Sequence, residues 1–198
     1  MLAHAIGFVL EPGDSLAGMV QIEMLPAAAA HDAMLVAEVC DLVNRAYEVA
    51  ERGLWHGGVA RTTLTETADA VVLGELAVAR DHGRLVGSIR TRQLDGDTGW
   101  LGVLAVDHAY GGRSIGGQLV GYAEGRAQSV AAITMQLELL VPVAAHAHTD
   151  LLAAWYGKLG YREVERRDLA DVEPTAVPFL AAPCEVAVMQ KRLASAVG

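Results

Sequence analysis

Three strand-like segments, a glycine-rich loop and an amphipathic helix follow one another between Glu75 and Val130, and this order narrows the fold most. Glu75 to Arg80 (ELAVAR) leads through Asp81-His82-Gly83 into Arg84 to Leu94, the pattern of a hairpin. The DGDTG stretch at 95–99 turns the chain again into Trp100 to Val106 (WLGVLAV), an apolar run fit for a central strand. The spacing therefore predicts an antiparallel meander. DHAYGGRSIGG follows, and then Ile115, Leu119, Val120, Tyr122 and Ala123 recur at helical spacing up to about Val130.

The flanking segments complete one α/β pattern. Val20 to Leu25 alternates as a first strand, ended by Pro26. His31 to Arg52 is periodic as a helix, with Asp32 as its cap and Gly53 as its stop. A short helix is predicted over Thr65 to Ala70, capped by Thr65. Beyond the glycine loop come a strand over Ile133 to Val141, broken by Pro142, and a helix over Thr149 to Leu159, ended by Gly160. Short strands are predicted over Tyr161 to Arg166 and Glu185 to Lys191. Pro174, Pro178 and Pro183 mark the intervening segment as a long loop or arm. Residues 1–18 read as a loose extension and 19–198 as one domain. The fold class is α/β of the α+β type, with a mixed, mostly antiparallel sheet flanked by helices.

Size and composition fit that reading. A chain of 198 residues, 53% apolar, suits a single core. No apolar run reaches the roughly 18 residues of a membrane span. The net charge of −9 speaks against nucleic acid, whose binders carry basic patches. Cys40 and Cys184 are too few and too far apart for a disulfide framework or a zinc site, so no metal is expected. A reducing, cytoplasmic setting is the plain expectation.

A buried strand, glycines and a helix start make an anion-binding arrangement. The first amides of a helix have no intrahelical partner, the helix dipole adds positive potential, and glycines let a phosphate approach the backbone. The loop lacks the Gly-Lys-Ser/Thr ending of Walker A, and its place after three antiparallel strands does not suit a dinucleotide fold. The remaining plain alternative is a glycine turn that packs a helix on a sheet.

Leu104-Ala105-Val106, GGRSIGG and the later Trp155-Tyr156-Gly157-Lys158-Leu159-Gly160-Tyr161 resemble the GNAT acetyltransferases. The resemblance spans about Val20 to Leu193. The family pattern is Leu-x-Val, four variable residues, then Arg/Gln-x-x-Gly-x-Gly/Ala, with a Tyr three residues before a Leu-Gly-Phe/Tyr ending. Gly111 stands where the family has Arg or Gln, and Ser114 stands at its middle glycine. Either Ser114 is strained at positive φ, or its hydroxyl caps the helix. The resemblance implies acetyl-CoA as co-substrate, its pyrophosphate on the amides of Gly111, Gly112, Arg113, Ser114, Ile115, Gly116 and Gly117. The pantetheine is implied to pair with the backbone of Leu104, Ala105 and Val106.

The resemblance further implies acetyl transfer to a primary amine of a small molecule or peptide by direct attack. The alternative is a non-catalytic acyl-CoA-binding or regulatory domain. Tyr156 matches the family's tyrosine and is the general-acid candidate for the departing thiolate; the bland reading is a core aromatic. Many relatives carry a base on the strand before the loop, and Trp100 to Val103 offers none. Base candidates are Glu138 and Glu48, with His56, His146 and His148 behind them. GLWHGGVAR is the expected acceptor loop, with Trp55, His56 and Arg61 as contacts, and the segment 172–183 is placed to close over the same mouth. Domains of this family often pair, which makes a homodimer an expectation.

Overall fold

The computed structural model describes residues 20–57 and 59–194; the expected extension at 1–18 lies outside them. The first strand, β1 (Gln21–Met24), precedes α1 (Ala33–Ala50) and α2 (Leu64–Val72). The meander follows as β2 (Leu76–Asp81), β3 (Arg84–Asp95) and β4 (Thr98–Val106). After α3 (Ile115–Ser129) come β5 (Thr134–Pro142), α4 (Ala147–Lys158), β6 (Arg162–Asp168), the one-turn α5 (Leu169–Val172) and β7 (Cys184–Arg192). One seven-stranded mixed sheet runs in the order β1-β2-β3-β4-β5-β7-β6. All its pairings are antiparallel except β4 with β5.

The apolar residues divide between the two faces of this sheet. One cluster holds Leu104, Leu119, Leu137, Leu139, Tyr156 and Tyr161 and joins α3 and α4 to the strands. The other holds Val39, Leu42, Tyr47, Val78, Leu140 and Val186 under α1 and α2. Burying each large aliphatic side chain contributes about 1.5–3 kcal/mol, so both layers are held chiefly by these contacts. Gly87 lets α3 approach: a Cβ there would lie 3.0 Å from Leu119 Cδ1 and 3.1 Å from the Ala105 carbonyl.

Several boundaries differ from the sequence reading. Thr63, not Thr65, caps α2: its hydroxyl accepts from the Glu66 amide, and the Glu66 carboxylate accepts from the Thr63 amide. The helix before β6 starts at Ala147, because the His146 ring accepts from the Thr149 amide. Pro142 does not break β5; it is the last paired position, opposite Cys184, where a missing N–H costs little.

Candidate active site

The site is built where the sheet parts. β4 pairs with β5 only from Thr98–Thr134 to Trp100–Gln136. Beyond that, β5 stays with β7 along its whole length, and β4 stays with β3 as far as Val106. The edge of Leu101 to Val106 that faces β5 is therefore open. A bulge lies within it, where the β3–β4 register slips between the Ser88–Ala105 and Arg90–Gly102 pairs. Val103 sits in this bulge at φ +48°. That backbone is strained for a β-branched residue, and such strain gathers at functional sites.

The glycine loop closes one end of the opening. A short 3₁₀ turn at His108–Tyr110, capped by the Asp107 carboxylate, reverses the chain after β4. The Gly111 amide donates to the His108 carbonyl at 3.1 Å, so it is not available to a phosphate. Gly112 follows at φ +74°. Ser114 is the N-cap residue of α3 at φ +56°, ψ +17°, and its hydroxyl makes no cap bond. Of the two readings of Ser114, the left-handed backbone is the one observed. The first amide of α3 taken within the helix is that of Gln118, on the Ser114 carbonyl at 3.0 Å. The amides of Ile115, Gly116 and Gly117 precede it and belong to the unpartnered first turn. Ile115 and Gly116 are buried; Gly117 has open space around its Cα. Arg113 is half-exposed, lies 3.5 Å from Asp81 and stacks 4.9 Å over the Tyr110 ring.

Tyr156 comes from α4. It is fully buried, its ring set edge-on to Trp155 and Tyr161 at centroid distances of 4.7 and 5.6 Å. Its hydroxyl makes no hydrogen bond among the described residues. Burial, and next the nearby Tyr47 phenol, push its pKa well above the ordinary value near 10. Tyr156 and Tyr47 belong to clusters on opposite faces of the sheet, so they meet where the strands have parted. Tyr161, three residues past Lys158, instead donates to Glu124, which also pairs with Lys191 at 2.7 Å.

Between α1 and the loop that follows it lies a cavity of about 250 Å³. Its wall includes Tyr47 and Glu48 of α1 and Glu51 at its C-cap, together with Trp55, His56 and Arg61 of the loop. The three predicted contacts, Trp55, His56 and Arg61, are thus brought together with Glu48. Asn44 organises the loop: its side-chain carbonyl accepts from the amides of Arg61 and Thr62 at 2.8 and 3.1 Å, and its amide donates to the Thr62 carbonyl at 3.0 Å. The Trp55 indole donates to Glu51 at 2.6 Å. The proline-bearing segment does pack on this loop: Trp55 bridges to Leu180, and the His56 amide donates to the Phe179 carbonyl at 2.8 Å. Glu138 is elsewhere, on β5 beside Arg167 of β6, and does not line the cavity. His148 borders a small adjoining cleft with Glu51 and Leu152. Its Nε2 is buried without a partner, and burial, then His146 and His108, lower its pKa. Asn44, Tyr47 and Glu51 carried no local motif in the sequence. Among the described residues no three His, Cys, Asp or Glu side chains form a metal-binding group, and no helix is long and apolar enough to cross a membrane.

Residues 73–163 match the family model of the acetyltransferase (GNAT) domain. No curated protein matches the chain in sequence. Solved structures resemble it in fold. The PaiA N-acetyltransferase of Thermoplasma acidophilum, in complex with coenzyme A, superposes with a TM-score of 0.66 at 13% identity, over 88% of this chain and 99% of its own. An aminoglycoside 6'-acetyltransferase of type Ii has a TM-score of 0.62 at 22% identity, over 88% and 97%. The ribosomal-protein-S18-alanine N-acetyltransferase of Escherichia coli has a TM-score of 0.60 at 18% identity, over 91% and 97%.

Proposed function

We propose, from the match of residues 73–163 to the acetyltransferase (GNAT) domain model and the likeness of the fold to solved N-acetyltransferases, that the chain transfers an acetyl group from acetyl-CoA to a primary amine of a small molecule or peptide by direct attack. The observation that carries this reading is the parted sheet. The β4 edge left open beyond the Trp100–Gln136 pair runs on to the first turn of α3, and the buried Tyr156 hydroxyl without a partner among the described residues supports the same reading. The pyrophosphate is assigned to the amides of Gly112 to Gly117, with Gly111 shaping the turn. The pantetheine lies along Leu104 to Val106, as an added strand would.

The chemistry then assigns itself by position. The amine nitrogen enters from the cavity lined by Trp55, His56 and Arg61 and attacks the thioester carbonyl. The new N–C bond forms, the C–S bond breaks, the thiolate takes the Tyr156 proton, and the proton shed by the amine is returned through water to the phenol. Burial keeps the phenol protonated before the reaction. The ammonium proton leaves through water at the cavity mouth, where Glu48 is the exposed carboxylate. The bulge at Val103 presents backbone where the oxyanion forms. The reading includes a cytoplasmic setting and leaves room for a homodimer. The test is release of free thiol from acetyl-CoA across an amine panel. Thiol release that depends on an amine supports it. Acetyl-CoA binding with no amine-dependent release across the panel supports the binding-module alternative instead.

A further inference from the structure

Arg61 is a buried cation with idle donors. Its side chain is 3% exposed, and Nε, Nη1 and Nη2 make no hydrogen bond among the described residues. Its nearest carboxylate oxygen, Glu51 Oε1, stands 4.0 Å from Nη1, beyond hydrogen-bond range. The guanidinium carbon lies over the Tyr47 ring, 4.7 Å from its centroid. Its backbone is pinned by Asn44, which fixes the point from which the side chain runs inwards. A buried guanidinium whose fork is unused costs folding free energy, and the natural complement of that fork is a planar anion bound by two parallel hydrogen bonds.

On the acetyltransferase reading, we infer that the acceptor is a small amino carboxylate, an α-amino acid or close analogue, whose carboxylate docks on Arg61. Arg61 belongs to the cavity wall, its guanidinium nitrogens buried just behind that surface, so an anion drawn to them is part of the acceptor. The wall sets Glu48 and Glu51 against Arg52 and Arg61 and is near neutral, which suits a zwitterionic amino acid better than a dianionic phosphate. Size limits the rest. About 250 Å³ is below the usual range of drug-sized sites, too small for an oligosaccharide amine or a folded peptide. Tyr47 spans the two ends: its ring carries Arg61 on one side and its phenol is close enough to Tyr156 to raise that group's pKa. An amine a few atoms from the docked carboxylate reaches the gap in the sheet.

The test compares ligands on the wild-type protein. The common α-amino acids are assayed with acetyl-CoA beside their carboxamides and their decarboxylated amines, with free thiol as readout. The same acids and carboxamides are titrated by calorimetry onto the CoA-bound protein. At least one acid is expected to bind and react about 100-fold better, in kcat/KM, than its carboxamide. Arg61→Gln collapses that preference towards one while retaining acetyl-CoA affinity. Arg61→Lys keeps charge without the fork and retains only about a tenth of the preference. Carboxamides or decarboxylated amines used as well as the acids overturn the inference and leave the acetyltransferase standing. So does CoA binding with no acid bound. Failure of acetyl-CoA itself to bind overturns both. The ligand comparison holds even if the Arg61 variants fail to fold.

Discussion

Tyr156→Phe separates catalysis from packing because the two effects run in opposite directions. The tyrosine ring is fully buried against Trp155 and Tyr161, and phenylalanine keeps those edge-on contacts. Only the hydroxyl goes, and it has no hydrogen-bond partner among the described residues. A buried polar group without a partner costs about 1–3 kcal/mol. The variant is therefore expected to gain about 1 kcal/mol, which for a domain of this size raises Tm by roughly 2–4 °C. The same change removes the proton source for the thiolate, and losing a positioned acid costs about 10²–10⁴-fold in rate. Differential scanning fluorimetry and single-turnover thiol release measure the two quantities on one preparation. A more stable protein with kcat down at least about 100-fold fits this assignment. Turnover within about threefold of wild type makes Tyr156 a core aromatic only. A Tm lowered by several degrees means that the hydroxyl does have a partner, and the stability reasoning fails.

Other outcomes follow from single features. Ser114→Gly relieves a left-handed backbone that costs a non-glycine residue about 1–2 kcal/mol, against about 0.5–1 kcal/mol of added chain entropy; a small net stabilisation in denaturant melts, with acetyl-CoA affinity kept, is expected because the hydroxyl makes no cap bond. His148 should make stability pH-dependent. Its folded pKa lies below the ordinary 6.5, so below about that pH the unfolded chain binds a proton the folded chain refuses, and stability falls as pH falls. Thermal melts between pH 7 and 5.5 should show that decline, and His148→Gln should flatten it. Glu48→Gln should lower kcat with acetyl-CoA affinity retained, while an unchanged kcat would assign the amine's proton to solvent alone.

The parts of the fold legible in the sequence are those whose signal is local. Alternation over 75–106 and the glycines after it gave away the meander, the loop and the start of α3. Cap chemistry was harder where two residues of one type compete. Thr63 and Thr65 both precede an apolar stripe, and only the glutamate three residues on, Glu66, selects Thr63. His146 is an uncommon cap, and α4 starts at Ala147, two residues before the Thr149 that the sequence pattern indicates.

The site was legible in proportion to how much of it is contiguous. The loop and Tyr156 lie in short motifs. The acceptor wall does not: Asn44 and Tyr47 on α1 and Glu51 at its C-cap follow one another like any buried helix face, and only the returning loop turns that face into a cavity. The bulge at Val103 went unseen because a β-branched residue at positive φ contradicts its own propensity, which is what a strained functional position does. Glu138 and Glu48 are indistinguishable as sequence, yet β5 carries one towards Arg167 and α1 carries the other to the cavity.

Ligand-dependent stabilisation tests the central claim, that the first turn of α3 holds the phosphates of acetyl-CoA beside the parted strands. At about a hundred times its Kd, a ligand that binds only the folded state adds about 2.7 kcal/mol, or roughly 5–10 °C in Tm here. Acetyl-CoA is predicted to give a shift of that size at millimolar concentration, and S-acetylpantetheine, which lacks the pyrophosphate, a much smaller one. No shift with acetyl-CoA, or equal shifts with both, would contradict it.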